Sequence, residues 1–255
     1  MEDANRGVAL VTGGAKRIGR AIVEDLVRHG FAVAIHCNTS RQEADALAAR
    51  LLAAGGRAAV VQADLENAQE VDGMIGAARA ALGPVGLLVN NASVFEDDSV
   101  LDFEPATWDR HFAVHVKAPA MLTRCLATQL PEGREGLVVN IIDQRVLKPT
   151  PGHFSYLLSK SALWMATRTM AQALAPRIRV NAIGPGPTLA NSRQHPDDFA
   201  AEVENVLLRR GPDLSEFGRT VRYLWETRSV TGQMIALDGG QHLAWQTPDV
   251  TGGME

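Results

Sequence analysis

The chain of 255 residues has only two cysteines, Cys37 and Cys125, and they lack the paired spacing of a metal site. That excludes a cysteine-ligated metal centre; no metal is expected, and the two read as thiols of a cytoplasmic protein. No apolar run is long enough to cross a bilayer, which removes a membrane from the expected partners. Positive charge is not in excess either. The formal net charge is −4 and no basic stripe stands out, so nucleic acid is not an expected partner. The opening Met1-Glu2-Asp3-Ala4-Asn5-Arg6 is short and polar and leads straight into an apolar strand, so it does not read as a signal peptide. Repeats and low-complexity segments are missing as well.

What is present is a globular composition, 46% hydrophobic, in which apolar runs alternate with helical patterns. This indicates one doubly wound α/β domain over 1–255. Val8 to Val11 is a short buried-strand run, and it enters Thr12-Gly13-Gly14-Ala15-Lys16-Arg17-Ile18-Gly19 before the helical pattern Ile22, Val23, Leu26, Val27. Glycines between a strand and a helix let the backbone approach a pyrophosphate, whose charge the helix N-terminus holds. Gly13, Lys16, Arg17 and Ile18 are therefore candidate cofactor contacts. A second strand, Ala32 to Ile35, runs into His36-Cys37-Asn38-Thr39-Ser40-Arg41 with no carboxylate to receive a ribose 2′-hydroxyl. Lys16, Arg17 and Arg41 offer positive charge instead, and His36, Asn38 and Ser40 stand beside them, so NADPH is expected over NADH. The alternative is a solvated basic face.

A third strand, Val60 to Leu65, places Asp64 to accept from an adenine amine, with Leu65 beside it. A fourth, Leu87 to Ala92, opens onto a loop: Asn90 is expected to bond backbone at the strand end, and Asn91 and Ala92 to face the cofactor. Tyr156 and Lys160 lie four apart in a helical stretch, Phe154 to Leu174, and so share a face. An ammonium beside a phenol favours the phenolate and brings its proton into range near neutral pH. Ile178 to Asn181 reads as a sixth strand. Gly184 to Arg210 is rich in Pro, Gly and polar residues and reads as a substrate lid, to which Leu189, Arg193, His195 and Leu208 are candidates. Leu214 to Trp225 follows as a helix and Met234 to Leu237 as the last strand. The tail from Gln241, with Trp245, either reaches a neighbouring subunit or frays.

Thr12-Gly13 through Gly19, Asn90-Asn91-Ala92, Tyr156 with Lys160, Asn181 with Pro185-Gly186, and Asp238-Gly239-Gly240 together resemble the short-chain dehydrogenase/reductase family over nearly the whole chain. The resemblance implies a Rossmann-like three-layer sandwich around a seven-stranded parallel sheet, hydride transfer with NAD(P), and a homotetramer or dimer. Two departures narrow it. Arg17 stands for the middle glycine of the turn, and Asp143, thirteen residues before Tyr156, stands for the usual serine. Both are similar to pteridine reductases, including the bacterial dihydromonapterin and alternative dihydrofolate reductases. In that group the aromatic corresponding to Phe95 stacks a pterin, the residue corresponding to Ser93 touches its polar edge, and Pro185, Gly186 and Thr188 lie at the cofactor. Where the family carries an asparagine that steadies the lysine, this chain has His115, either a relay or a packed core residue. Asp109 and His111 are expected to face solvent.

Chemistry favours the same assignment. Hydride addition to a ketone puts negative charge on oxygen, which an ionised Asp143 would repel. Reduction of a ring C=N calls for a proton on nitrogen, which a carboxyl can deliver directly or through water. No Ser or Thr lies between Asn140 and Lys148 to replace the missing hydroxyl. The expected catalytic set is Asp143, Tyr156 and Lys160, with Ser93 and Phe95 at a pterin or folate substrate. A carbonyl or ketoacyl reductase, with Asp143 merely paired to Arg145, is the alternative; a non-catalytic NADPH-binding regulator is a third.

Overall fold

A computed structural model describes residues 6–190 and 196–246. Seven strands, β1 (Gly7–Val11), β2 (Phe31–Cys37), β3 (Arg57–Gln62), β4 (Val85–Asn90), β5 (Gly136–Ile141), β6 (Ile178–Pro185) and β7 (Met234–Leu237), form one sheet in the order β3-β2-β1-β4-β5-β6-β7. All six pairings are parallel. The helices are α1 (Arg17–Arg28), α2 (Arg41–Ala53), α3 (Ala68–Leu82), α4 (Pro105–Phe112), α5 (Ala118–Gln129), α6 (Phe154–Leu174), α7 (Pro196–Glu204) and α8 (Leu214–Glu226).

Buried parallel strands must be apolar on both faces, and every residue of β2 and β5 is buried. One face packs α1, α2 and α8 through Ile22, Leu26, Leu47 and Phe217. The other packs α3, α5 and α6 through Val71, Met74, Leu122 and Ala171. The result is the expected three-layer sandwich. Strand order reverses between β1 and β4, so the loops after these two strands diverge and leave a crevice at their carboxyl ends. A single π-helical turn, Ala113–Lys117, joins α4 to α5 and carries His115.

Boundaries differ from the sequence reading in three places. β3 ends at Gln62, before Asp64, and β6 continues through Pro185 rather than stopping at Asn181. The segment from Gly184 to Arg210 contains a helix, α7, whose amphipathic pattern is hidden by Pro196 at its start. Arg193 and His195 lie outside the described residues. Trp245 is 59% exposed at the end of the described chain.

Candidate active site

The turn after β1 is shaped by close approach. Gly13 has φ +61°, and a Cβ on Gly19 would fall 2.2 Å from the Gly13 carbonyl oxygen, so only glycine fits there. A pyrophosphate fits this turn: α1 has no side-chain N-cap and no acid in its first turn, leaving its N–H groups and dipole for an anion. Thr12 ties the turn to the loop after β4, its hydroxyl accepting from the Asn91 N–H at 2.9 Å and the Ala92 N–H at 3.0 Å.

Several sequence expectations are corrected at this crevice. The Asn91 side chain braces the turn, its amide nitrogen donating to the Thr12 and Gly13 carbonyls at 2.8 and 3.2 Å. Asn90 bonds a side chain rather than backbone: it donates to Asn140 Oδ1 at 2.8 Å, and Asn140 donates to Thr167 Oγ1 at 2.8 Å. His36 is buried beneath the turn, with Nδ1 accepting from the Gly13 N–H at 3.0 Å and Nε2 3.1 Å from the Ala63 carbonyl. Its ring shapes the turn and does not reach the open crevice. Burial also lowers its pKa, which keeps Nδ1 free to accept.

The expected phosphate-binding cations are placed at the β2 end but are partnered. Lys16 pairs with Glu43 at 2.6 Å, and Arg41 with Asp45 at 2.8 Å. Arg17 has φ +51° and extends its guanidinium to the Leu189 and Ala190 carbonyls, 3.0 Å from each. Asn38 is exposed and Ser40 half-buried, without a carboxylate at the strand end. Asp64 Oδ1 accepts from the Glu66 N–H at 3.0 Å, with Leu65 buried beside it. Ile18 packs on the core from the first turn of α1.

Helix α6 brings Tyr156 and Lys160 together on one buried face. The Tyr156 hydroxyl donates to Asp143 Oδ2 at 2.9 Å, while Asp143 Oδ1 accepts from the Arg145 N–H at 2.8 Å and caps the short helical turn Gln144–Val146. Arg145 stands 3.8 Å from the same carboxylate, so both partners foreseen for Asp143 are present. Lys160 Nζ donates to the Ile141 carbonyl at 3.0 Å and lies 5.6 Å from the Tyr156 ring centre.

The surroundings of Tyr156 work against an easily ionised phenol. Burial, then the Asp143 charge and its hydrogen bond, push the Tyr156 pKa well above its ordinary value; Arg145 opposes them weakly. The carboxylate stands 2.9 Å from the hydroxyl itself, and an adjacent negative charge disfavours the phenolate. Burial in turn brings Lys160 down to about 8. Tyr156 thus holds its proton and shares it with a carboxylate, an acid–base pair able to pass one proton to a basic nitrogen.

Phe95 meets the Tyr156 ring edge-on, 4.8 Å between centres, and the His153 ring at 4.5 Å. It borders an open cavity of about 370 Å³ walled also by Arg145, His153, Pro187, Thr188 and Phe199. His153 and Phe199 were not anticipated. His153 preceded an obvious helix start, and Phe199 lay on a helix the sequence reading did not find. Pro185 closes β6, the Gly186 N–H bonds the Leu237 carbonyl at 2.8 Å, and Thr188 Oγ1 donates to the Gly186 carbonyl at 3.0 Å. Leu189 borders the cavity, whereas Leu208 is 63% exposed away from it. Asp109 is exposed as expected, but His111 is fully buried, 2.7 Å from Ser155 Oγ.

An oxidoreductase site of this kind sits in a recognisable frame: a family profile described as "short chain dehydrogenase" matches residues 7–199, and the chain belongs to that family. Among solved structures, FolM Alternative dihydrofolate reductase 1 from Brucella canis, complexed with NADP, is 62% identical, with 97% of this chain and 98% of that one covered and a TM-score of 0.95. The corresponding protein of Brucella suis, also in complex with NADP, is 63% identical with a TM-score of 0.94, covering 96% of this chain and 98% of that one. A 3-oxoacyl-[acyl-carrier-protein] reductase of Staphylococcus epidermidis is 29% identical over 240 residues, 92% of this chain and 98% of the relative. Among the described residues no helix is long and apolar enough to cross a membrane, and no cluster of His, Cys, Asp and Glu could hold a metal.

Proposed function

We propose that this chain reduces a ring C=N of a pterin or dihydrofolate with NADPH. The observation that carries the reading is the 2.9 Å hydrogen bond from Tyr156 to Asp143, a carboxylate placed where an alkoxide would be repelled and a basic ring nitrogen welcomed. The likeness to dihydrofolate reductases of the FolM type at 62% identity supports it.

In this reading the turn at Gly13 to Ile18 holds the pyrophosphate, with Asn91 and Ala92 behind it and Pro185, Gly186 and Thr188 across the crevice. Lys16, Arg17, Asn38 and Ser40 meet the ribose phosphate, and Asp64 with Leu65 borders the adenine. The nicotinamide, when bound, supplies the hydride. Lys160 holds the adjoining ribose hydroxyls from its perch on the Ile141 carbonyl. Tyr156 and Asp143 move one proton between Oη and Oδ2 and deliver it to the ring nitrogen, directly or through water. Phe95 offers a ring face to the planar substrate, as aromatic platforms do to bases. Ser93 meets the substrate's polar edge. The segment from Gly184 to Arg210 closes over the cavity, which Phe199 of α7 and Phe95 both border.

We further take the protein to be a cytoplasmic homotetramer or dimer, which the exposed Leu243 and Trp245 near the chain end support. Light scattering tests the assembly. The function itself is tested by following NADPH consumption with dihydrofolate and dihydropterins against a panel of ketones and ketoacyl thioesters. Pteridine turnover is the expected result; brisk ketone reduction with indifference to every pteridine overturns the assignment.

A further inference from the structure

Two histidines outside the proton-transfer pair are fully buried next to it, and each makes the same pattern of contacts. His111 and His115 lie one helical turn apart, rings near-parallel at 15° with centres 5.6 Å apart, and both rings meet Tyr156 edge-on. From one side, α6 presents Ser155 and Ser159, also spaced by four: Nδ1 of His111 is 2.7 Å from Ser155 Oγ, and Nδ1 of His115 is 2.8 Å from Ser159 Oγ. From the other side, the loop after β4 presents two backbone donors. The Val94 N–H reaches His115 Nε2 at 3.1 Å, and the Glu96 N–H reaches His111 Nε2 at 3.4 Å.

These contacts fix the tautomers. A backbone N–H can only donate, so each Nε2 must be without a proton and each Nδ1 must carry one. The remaining polarity agrees. Ser159 Oγ donates a hydrogen bond to the Tyr156 carbonyl at 2.6 Å, and Ser155 Oγ donates to Asp98, so both serine oxygens are open to accept from an imidazole N–H. Burial lowers the pKa of both rings, and Lys160 and His111 push His115 down further, which favours the neutral imidazoles that the geometry requires. Ser93 Oγ lies 3.0 Å from His115 Nε2. That nitrogen has no proton to give, so only the serine can donate in this contact, and the same hydroxyl also lies 3.3 Å from the Val94 carbonyl.

We propose that His111 and His115 are positioning residues: as neutral Nδ1–H imidazoles they suspend the loop carrying Ser93 and Phe95 from the helix carrying Tyr156 and Lys160. The two rungs, 111–155 and 115–159, add to the apolar packing of Ala92 and Val94 and to the bonds that Ser155 donates to Asp98. That the suspended loop faces substrate rests on the function proposed above; the suspension itself does not.

The test is amide hydrogen exchange on the full chain with NADPH bound, with NADPH affinity and dihydrofolate kinetics measured in parallel. In His115→Leu the Val94 amide is expected to exchange about tenfold faster while Val89 in β4 stays protected, the loss of one hydrogen bond being worth up to that factor. His111→Leu does the same at Glu96. KM for dihydrofolate should rise by about the same tenfold factor with the NADPH dissociation constant within about twofold of wild type. Ser159→Ala, which removes the rung from its other end, should reproduce the His115→Leu pattern, and His115→Asn, which keeps one acceptor and one donor, should restore part of the protection. Unaltered exchange at Val94 and Glu96, or parallel loss of NADPH binding in His115→Leu and His115→Asn, overturns the proposal. Histidine-dependent protection in a protein that turns over no pteridine leaves the suspension standing and overturns the proposed function instead.

Discussion

The Tyr156 hydroxyl and the Asp143 carboxylate are 2.9 Å apart and share one proton, while the other oxygen of Asp143 caps the Arg145 N–H at 2.8 Å. The carboxylate is therefore fixed from both ends, and the phenol, pushed above its ordinary pKa, enters the reaction protonated. Replacing Asp143 by Ser should lower pteridine kcat by about 10² to 10⁴, the usual worth of a positioned acid. It should also let measurable ketone reduction emerge. Steady-state assays on both substrate classes check it; a faster pteridine turnover in Asp143→Ser would sink the proton-transfer scheme.

Lys160 gives the pH dependence. Burial holds its folded pKa at about 8, below the free lysine value, so the ammonium is present below that pH and lost above it. Because kcat/KM reports the free enzyme, it should decline above about pH 8, and Lys160→Arg, which cannot deprotonate, should retain any residual activity without that limb. The stability sign follows from the same shift. The unfolded chain binds more protons between about pH 8 and the ordinary lysine value, so this group's contribution to stability rises with pH across that window. Denaturant midpoints for wild type and Lys160→Met, measured across the window, should converge as pH rises.

Cofactor preference should respond to the Lys16–Glu43 pair. The pair is exposed, and the hydrogen bond from Lys16 holds the Glu43 carboxyl below its usual pKa. A 2′-phosphate must compete with Glu43 for that ammonium. Glu43→Gln should raise the NADPH over NADH ratio of kcat/KM by a few fold, and Lys16→Ala should lower it by about tenfold, the scale of one charge-assisted hydrogen bond. An unchanged ratio in Lys16→Ala would remove this lysine from phosphate recognition.

His36 carries a stability prediction. With His36→Leu the Gly13 N–H and the Ala63 carbonyl lose their buried partner, which should cost about 1–3 kcal/mol and weaken NADPH binding together. Chemical denaturation and fluorescence titration of NADPH check both. Loss of stability with intact NADPH affinity would mean that the ring does not shape the turn.

Helix α6 was legible to the residue, Phe154 to Leu174, because its apolar spacing is continuous over 21 positions. The strand cores were legible for the same reason. Periodicity reports only whether a position favours water, so it failed where polar groups are buried by one another: His111 was expected at the surface, and the bonding partner of Asn90 was misread. What fixes those two are partners distant in sequence, Ser155 and Asn140. Asp143 was legible as an oddity against a family pattern. The raised pKa of Tyr156 was not, since it depends on a distance between loop and helix that spacing along the chain does not contain. Helix α7 was hidden by the proline and polar residues around it.

Thr12 receives two N–H groups from residues 79 and 80 positions further along the chain. Such a junction cannot assemble locally; it forms only after β4 has docked against β1 and the intervening units have been threaded into place. A refolding chain would recover helical content before it recovers a dinucleotide pocket, and a fragment ending at Leu82 would have the glycine turn without the wall that shapes it. Competence to bind is thus a late, global property of this architecture, acquired at the seam where its two halves meet.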